Sequence, residues 1–151
     1  MTPGQNPEKT PDSNANITLL GFDYGTKRIG VAVGQTLLQS ATPLTSLLSR
    51  NHKPVWVGVT RLIPEWRPIE LVVGLPFDLD DTESEVAGKA KRFARQLHGR
   101  YHLPVHMIDE RLTSREAATI LRTQDKSDGR LDVMAAALIL ETWLRSFSKS
   151  T

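Results

Sequence analysis

Gly21-Phe22-Asp23-Tyr24-Gly25-Thr26-Lys27-Arg28-Ile29-Gly30-Val31-Ala32 carries two strand signals separated by one polar turn. Apolar residues run almost unbroken from Ile17 to Phe22, and a run of that length closed by Gly reads as a buried strand. A second run, Ile29 to Val33, begins right after the turn. The connection is too short for a crossover, so the two strands pair antiparallel. Asp23 then stands at the C-terminal end of the first strand, with Lys27 and Arg28 beside it.

Toward the C-terminus, a third extended piece covers about Leu37 to Ser46, with Pro43 placing it at an edge or bend. A helix is expected from about Pro54 to Trp66, because Pro54 suits a first turn and Trp56, Val59, Leu62, Ile63 and Trp66 recur at helical spacing. Pro64 interrupts its last turn. Ile69 to Val73 is a buried strand closed by Gly74-Leu75-Pro76, and an acidic loop, Asp78 to Asp81, follows. A helix from about Thr82 to Gly99 places Val86, Ala90, Phe93, Ala94 and Leu97 on one face. Pro104 to Ile108 is another central strand, ending in Asp109-Glu110. Thr113-Ser114-Arg115-Glu116 has the capping-box pattern and predicts a helix to about Thr123. A last helix runs from about Arg130 to Phe147. Antiparallel strands first and βαβ crossovers later imply an α/β fold, a mixed five-stranded sheet with helices on both faces.

The chain of 151 residues fits one domain, expected over 17–147 with short tails at 1–16 and 148–151. The first tail is expected to be disordered and lacks the apolar core of a signal peptide. There is no cysteine, which excludes disulfides and thiolate zinc sites and suits a reducing compartment. No apolar run approaches the roughly 20 residues that span a bilayer. A cytoplasmic location is expected. The net charge of +2 permits a nucleic-acid partner without demanding one.

The acids carry the functional signal. Asp23 ends the first strand, and Asp109 and Glu110 end the last. Open α/β sheets bind ligands just outside such strand ends. Asp132 falls near the start of the final helix, on the stripe of Ala135, Ala136, Ile139, Leu140, Trp143 and Phe147. Carboxylates gathered there suit Mg²⁺ or Mn²⁺, which prefer oxygen ligands. Each acid also has a structural reading: Asp23 as a turn residue, Asp132 as an N-cap, and Asp109 and Glu110 as partners of Arg111 or Arg115. Lys27 and Arg28 are candidates for phosphate contact. Lys89, Lys91, Arg92 and Arg95, following the acids of Asp78 to Glu85, read first as charges arranged along a helix dipole and second as a nucleic-acid patch. His52, His98, His102 and His106 show no ligand or triad spacing, and Trp56, Trp66 and Trp143 fall on apolar helix faces.

The opening motif resembles that of the YqgF family, bacterial ribonuclease H-like proteins described as Holliday-junction-resolvase-like and as pre-16S rRNA nucleases. Three further segments resemble the same family in the same order: Val72-Val73-Gly74-Leu75-Pro76, then Asp109-Glu110-Arg111-Leu112-Thr113-Ser114, then Asp132 with Ala135-Ala136 and Ile139-Leu140. The resemblance spans roughly Ile17 to Leu144. It implies a ribonuclease H-like sheet and a metal-dependent phosphodiesterase. Carried over by motif, the catalytic acids are Asp23, Glu110 and Asp132, with Asp109 as a reserve ligand for Mg²⁺ or Mn²⁺. Lys27, Arg28, Arg111 and Arg130 are the expected nucleic-acid contacts, with precursor rRNA as the expected partner. Related resolvases often carry a further acid one helical turn on, where this chain has Ala135. That weighs against junction DNA more than against nuclease activity. The alternatives are a Holliday-junction-type DNA resolvase, a nucleotide-binding ATPase sharing the Asp-Tyr-Gly-Thr turn, and a non-catalytic RNA-binding module.

Overall fold

Strand β1 (Thr18–Tyr24) sorts its side chains by strict alternation. Leu20, Phe22 and Tyr24 face one apolar cluster, while Leu19 faces a second on the opposite side of the sheet. Both faces are therefore covered, which is why the strand reads as a continuous apolar run. The computed structural model describes residues 16–25, 27–50, 53–54, 56–76, 85–110 and 130–149.

β1 pairs antiparallel with β2 (Arg28–Gln35), in register from Thr18 opposite Gln35 to Tyr24 opposite Ile29. β2 pairs antiparallel with β3 (Ser40–Arg50). The β2–β3 register shifts between Val31, opposite Thr45, and Ala32, opposite Pro43, leaving Leu44 as a bulge. Pro43, which has no ladder N–H to give, sits at that irregularity, as bulges and prolines require. A two-residue strand β4 (Lys53–Pro54) adds to β3, and helix α1 spans Trp56–Trp66. Pro54 thus lies in an edge strand rather than in a first helical turn. An edge strand leaves its missing donor facing outward, so proline is tolerated there.

β5 (Glu70–Leu75) pairs parallel with β1, helix α2 spans Glu85–Tyr101, and β6 (Val105–Asp109) pairs parallel with β5. Helix α3 (Arg130–Lys149) is the last described element. The sheet order is β4-β3-β2-β1-β5-β6, so the five expected strands are present and the short β4 extends the edge. Val59 and Leu62 of α1 and Ala90, Phe93, Ala94 and Leu97 of α2 build one core layer on the sheet. Ala136, Ala137, Ile139, Leu140 and Leu144 of α3 build the other. The helix expected over Thr113–Thr123 and most of the expected N-terminal tail lie outside the described residues.

Two helices close on left-handed residues, α2 past its expected stop and α1 at it. α2 runs past Gly99 and stops at His102, which takes a left-handed φ of 57° and donates its N–H to the His98 carbonyl. α1 ends the same way on Arg67, with φ of 49° and a bond to Ile63. The left-handed cap satisfies a terminal carbonyl and is here made by non-glycine residues. No helix among the described residues is long and apolar enough to cross a membrane.

Candidate active site

The same alternation that buries Phe22 turns the next residue, Asp23, to the α3 side of the sheet, in line with Leu19 and Gly21. Leu19 packs in the α3 core layer, and a Cβ on Gly21 would meet Leu140 of α3 at 2.8 Å. Asp23 is half-buried, at the C-terminal end of a central strand.

Glycines on the two neighbouring strands bring the other acids to it. Asp23 lies directly opposite Gly30 of β2. The backbone of Asp132, at the start of α3, rests on Gly30 where any side chain would collide with its carbonyl. On the other flank, Phe22 pairs with Val73, so the following residues Asp23 and Gly74 stand side by side on parallel strands, about 4.8 Å apart in the pairing direction. A Cβ on Gly74 would meet the Glu110 carboxylate oxygen Oε1 at 2.9 Å and the side chain of Ile139. Asp23, Glu110 and Asp132 are thus brought to one patch at the C-terminal ends of β1, β5 and β6. The two glycines provide the space.

Asp109 is not brought to the same place. Ile108 packs in the α3 layer and Met107 against the opposite one. Asp109 therefore occupies a position on the Met107 side, while Glu110 follows Ile108. Asp132 is half-buried at the rim, not sunk in the core as its helical spacing suggested. No polar or charged residue among those described is fully buried. Asp23, Asp109, Glu110 and Asp132 each engage other groups of the protein. As they stand, no three His, Asp or Glu side chains among the described residues are gathered tightly enough to hold a metal. The donor set is nevertheless hard carboxylate oxygen, the chemistry that suits a hard divalent cation.

Of the expected phosphate contacts, Lys27 is exposed in the β1–β2 turn, where its carbonyl accepts the Ser49 N–H at 2.9 Å. Arg28 begins β2, two residues before Gly30 and on the same face. Arg111 lies outside the described residues, and Arg130 opens α3. Ser46 was not apparent in the sequence as a neighbour of the site. It lies opposite Gly30, on the Asp23–Gly30 rung, and its hydroxyl is buried without a hydrogen-bond partner. The role of Gly30 and Gly74 was equally hidden, because nothing local to a glycine says which helix crosses it.

Tyr24 points away from the acids into the α1/α2 layer, 5.4 Å from the Phe93 ring. Burial raises its phenol pKa, and the positive charge of Arg92 partly opposes that rise. Trp56 stacks on Phe93 at 5.5 Å, and His106, bonded to Glu70 at 3.2 Å, stacks on Trp143 at 4.5 Å toward the far end of the sheet.

A family model named RuvX, described as Holliday junction resolvase, matches residues 17–146. A protein of Azotobacter vinelandii named "Putative pre-16S rRNA nuclease" is 52% identical over 130 residues, covering 83% of this chain and 92% of the relative. One of the same name from Paraburkholderia phymatum is 50% identical over 131 residues, covering 87% of each. Among solved structures, Thermus thermophilus RuvC in complex with a Holliday junction superposes with a TM-score of 0.58 at 15% identity, covering 87% of this chain and 96% of that one. The yeast mitochondrial Holliday junction resolvase Ydc2 superposes with a TM-score of 0.52 at 12% identity, covering 87% and 79%. At those identities the likeness establishes the fold alone, a ribonuclease H-like sheet.

Proposed function

This chain belongs to the RuvX (YqgF) family, and we propose that it is a nuclease hydrolysing phosphodiester bonds in precursor 16S rRNA, with Asp23, Glu110 and Asp132 as its catalytic acids. The observation that carries the reading is the meeting of these three residues around Gly30 and Gly74. Those acids come from three separate places in the sequence, and each alone has an ordinary structural explanation. A shared patch at the C-terminal strand ends does not follow from three independent turn or cap roles.

Asp23, Glu110 and Asp132 would hold Mg²⁺ or Mn²⁺. The ion supplies Lewis-acid charge that activates water and stabilises the leaving oxygen. Asp23, central among the three, would contribute to any ion position shared with either neighbour. Glu110, just after β6, and Asp132, at the start of α3, flank it on the Gly74 and Gly30 sides. To do so the acids would turn from their present partners, and the charge of the ion would offset the repulsion of the gathered carboxylates. Arg28, on the same face, and Lys27, in the adjoining turn, would hold the phosphate in register without reading sequence. Asp109, on the other side of β6, is left as a reserve ligand. A cytoplasmic location suits this activity.

The test is cleavage of labelled pre-16S rRNA fragments with Mg²⁺ or Mn²⁺, beside a metal-free control and a four-way DNA junction. Metal-dependent RNA cleavage should fall at least a thousandfold in Asp23→Asn, with thermal unfolding in chelator unchanged; a variant cutting at full rate ends the assignment of Asp23. Cleavage of the junction in preference to RNA would move the substrate to structured DNA.

A further inference from the structure

Helix α2 carries more positive charge than its role in the core needs. It holds Lys89, Lys91, Arg92, Arg95 and Arg100 against the single acid Glu85, a net +4 with histidines neutral. The whole chain carries only +2, so the remainder is net negative. The charge is therefore concentrated, not a general property of the surface.

Its arrangement is also specific. Ala87, Ala90, Phe93, Ala94 and Leu97 bury one side of the helix. Gly88, Arg92, Arg95 and Gly99 are all exposed and follow one another at spacings of four, three and four, on the side directly opposite. Among the described residues, a Cβ on Gly88 or on Gly99 would meet nothing within 4 Å. Packing within the protein therefore does not ask for glycine at either position, although glycine weakens a helix interior. Two arginines bracketed by two bare turns of backbone make a ridge about 16 Å long, low at both ends. A partner can approach it closely.

We propose that the outer face of α2 is a docking track for the phosphodiester backbone of double-helical nucleic acid flanking the cleaved bond. The inference rests on the nuclease reading above and adds a second point of attachment on the other side of the sheet from the acids. A duplex fits better than a single strand. Single strands are held by exposed aromatic platforms, and here Trp56 and Phe93 stack on each other while Arg100 covers Trp56 at 4.1 Å. The ridge presents two arginines and bare backbone, with the exposed Glu85 one turn before Gly88 paired to Lys89 at 3.9 Å, and it suits phosphates in regular array with no base preference.

The experiment measures binding of a labelled RNA hairpin with a long duplex stem by the full chain, in chelator, across a salt series. Arg92→Gln/Arg95→Gln should weaken binding about tenfold at low salt. It should also reduce the log–log salt slope by about 1.5, at roughly 0.7–0.9 for each phosphate no longer neutralised. A two-nucleotide phosphodiester, too short to reach the ridge, should be cleaved at the wild-type rate by the same variant. Gly88→Glu supplies a second arm, weakening hairpin binding while the fold holds. Unchanged affinity and slope in both variants overturn the track and leave the nuclease reading intact. A wild-type chain that binds no hairpin in chelator overturns the track, and the nuclease reading is then judged by cleavage with metal.

Discussion

At Gly74 the sheet has no side chain, and the Glu110 carboxylate occupies the space beside it. Gly30 does the same service for the Asp132 backbone. The two differ in what an added methyl would push, and their substitutions should differ accordingly. In Gly30→Ala the methyl meets backbone of Asp132 and Val133, which moves only with α3 itself. A loss of about 3 kcal/mol is expected, as for overpacking that shifts a helix. In Gly74→Ala the methyl meets the far end of Ile139 and the Glu110 carboxylate, both of which can swing aside. Stability should fall by only about 1 kcal/mol, while cleavage falls about 100-fold because a catalytic group is misplaced. Chemical denaturation beside cleavage rates separates the two outcomes. Equal effects of the two substitutions on both measurements would deny Gly74 its place in the site. Both glycines stand plainly in the motifs, yet their function is not legible there, since it depends on which distant segment lies across each.

α2 shows what an element's own periodicity reveals and conceals. The apolar positions predict its buried face correctly, and Phe93 lies at the centre of it, within 5.5 Å of the rings of Phe22, Tyr24 and Trp56. Phe93→Ala should therefore cost about 4 kcal/mol and lower the thermal midpoint by more than about 10 °C. Gly88→Ala and Gly99→Ala act in the opposite direction. With open space at both positions, each should stabilise by about 0.5–1 kcal/mol through helix propensity alone. A fall in thermal midpoint would show that a neighbour is touched after all. The end of this helix was less legible. Gly99 resembles a stop signal, but the stop is His102, because Pro104 and the short link into β6 fix where the chain must turn.

Over the whole molecule, the site and the core respond differently to pH and to metal. Burial raises the Tyr24 phenol pKa above its ordinary value of 10.0. The folded state thus holds this proton more tightly than the unfolded one. The contribution is complete below pH about 10, the unfolded value, and is lost as pH rises through the folded one. Thermal midpoints of the wild type should drop more steeply than those of Tyr24→Phe above pH about 10, and parallel curves would refute the prediction. Metal should work through the acids instead. Mg²⁺ at about 100 times its Kd should add about 2.7 kcal/mol of stability, a shift of roughly 7 °C. Chelator should reverse it and Asp23→Asn should abolish it, both followed by scanning calorimetry without any substrate present.

The sequence by itself determined the strand-and-helix order, the pairing of the first two strands, and the ends of strands at which Asp23 and Glu110 stand. Those features rest on local causes: alternation, helical spacing, short links and turn residues. It also identified Asp132 as an acid at the start of a helix. Tertiary structure alone decided that α3 crosses β2 at Gly30, that Glu110 lies over Gly74, and that Asp109, one residue away, occupies the other face. It likewise placed Ser46 on the Asp23 rung and the charge of α2 on a ridge facing outward. Each of these depends on register and on which elements cross, and those are set by packing two core layers onto opposite faces of one sheet.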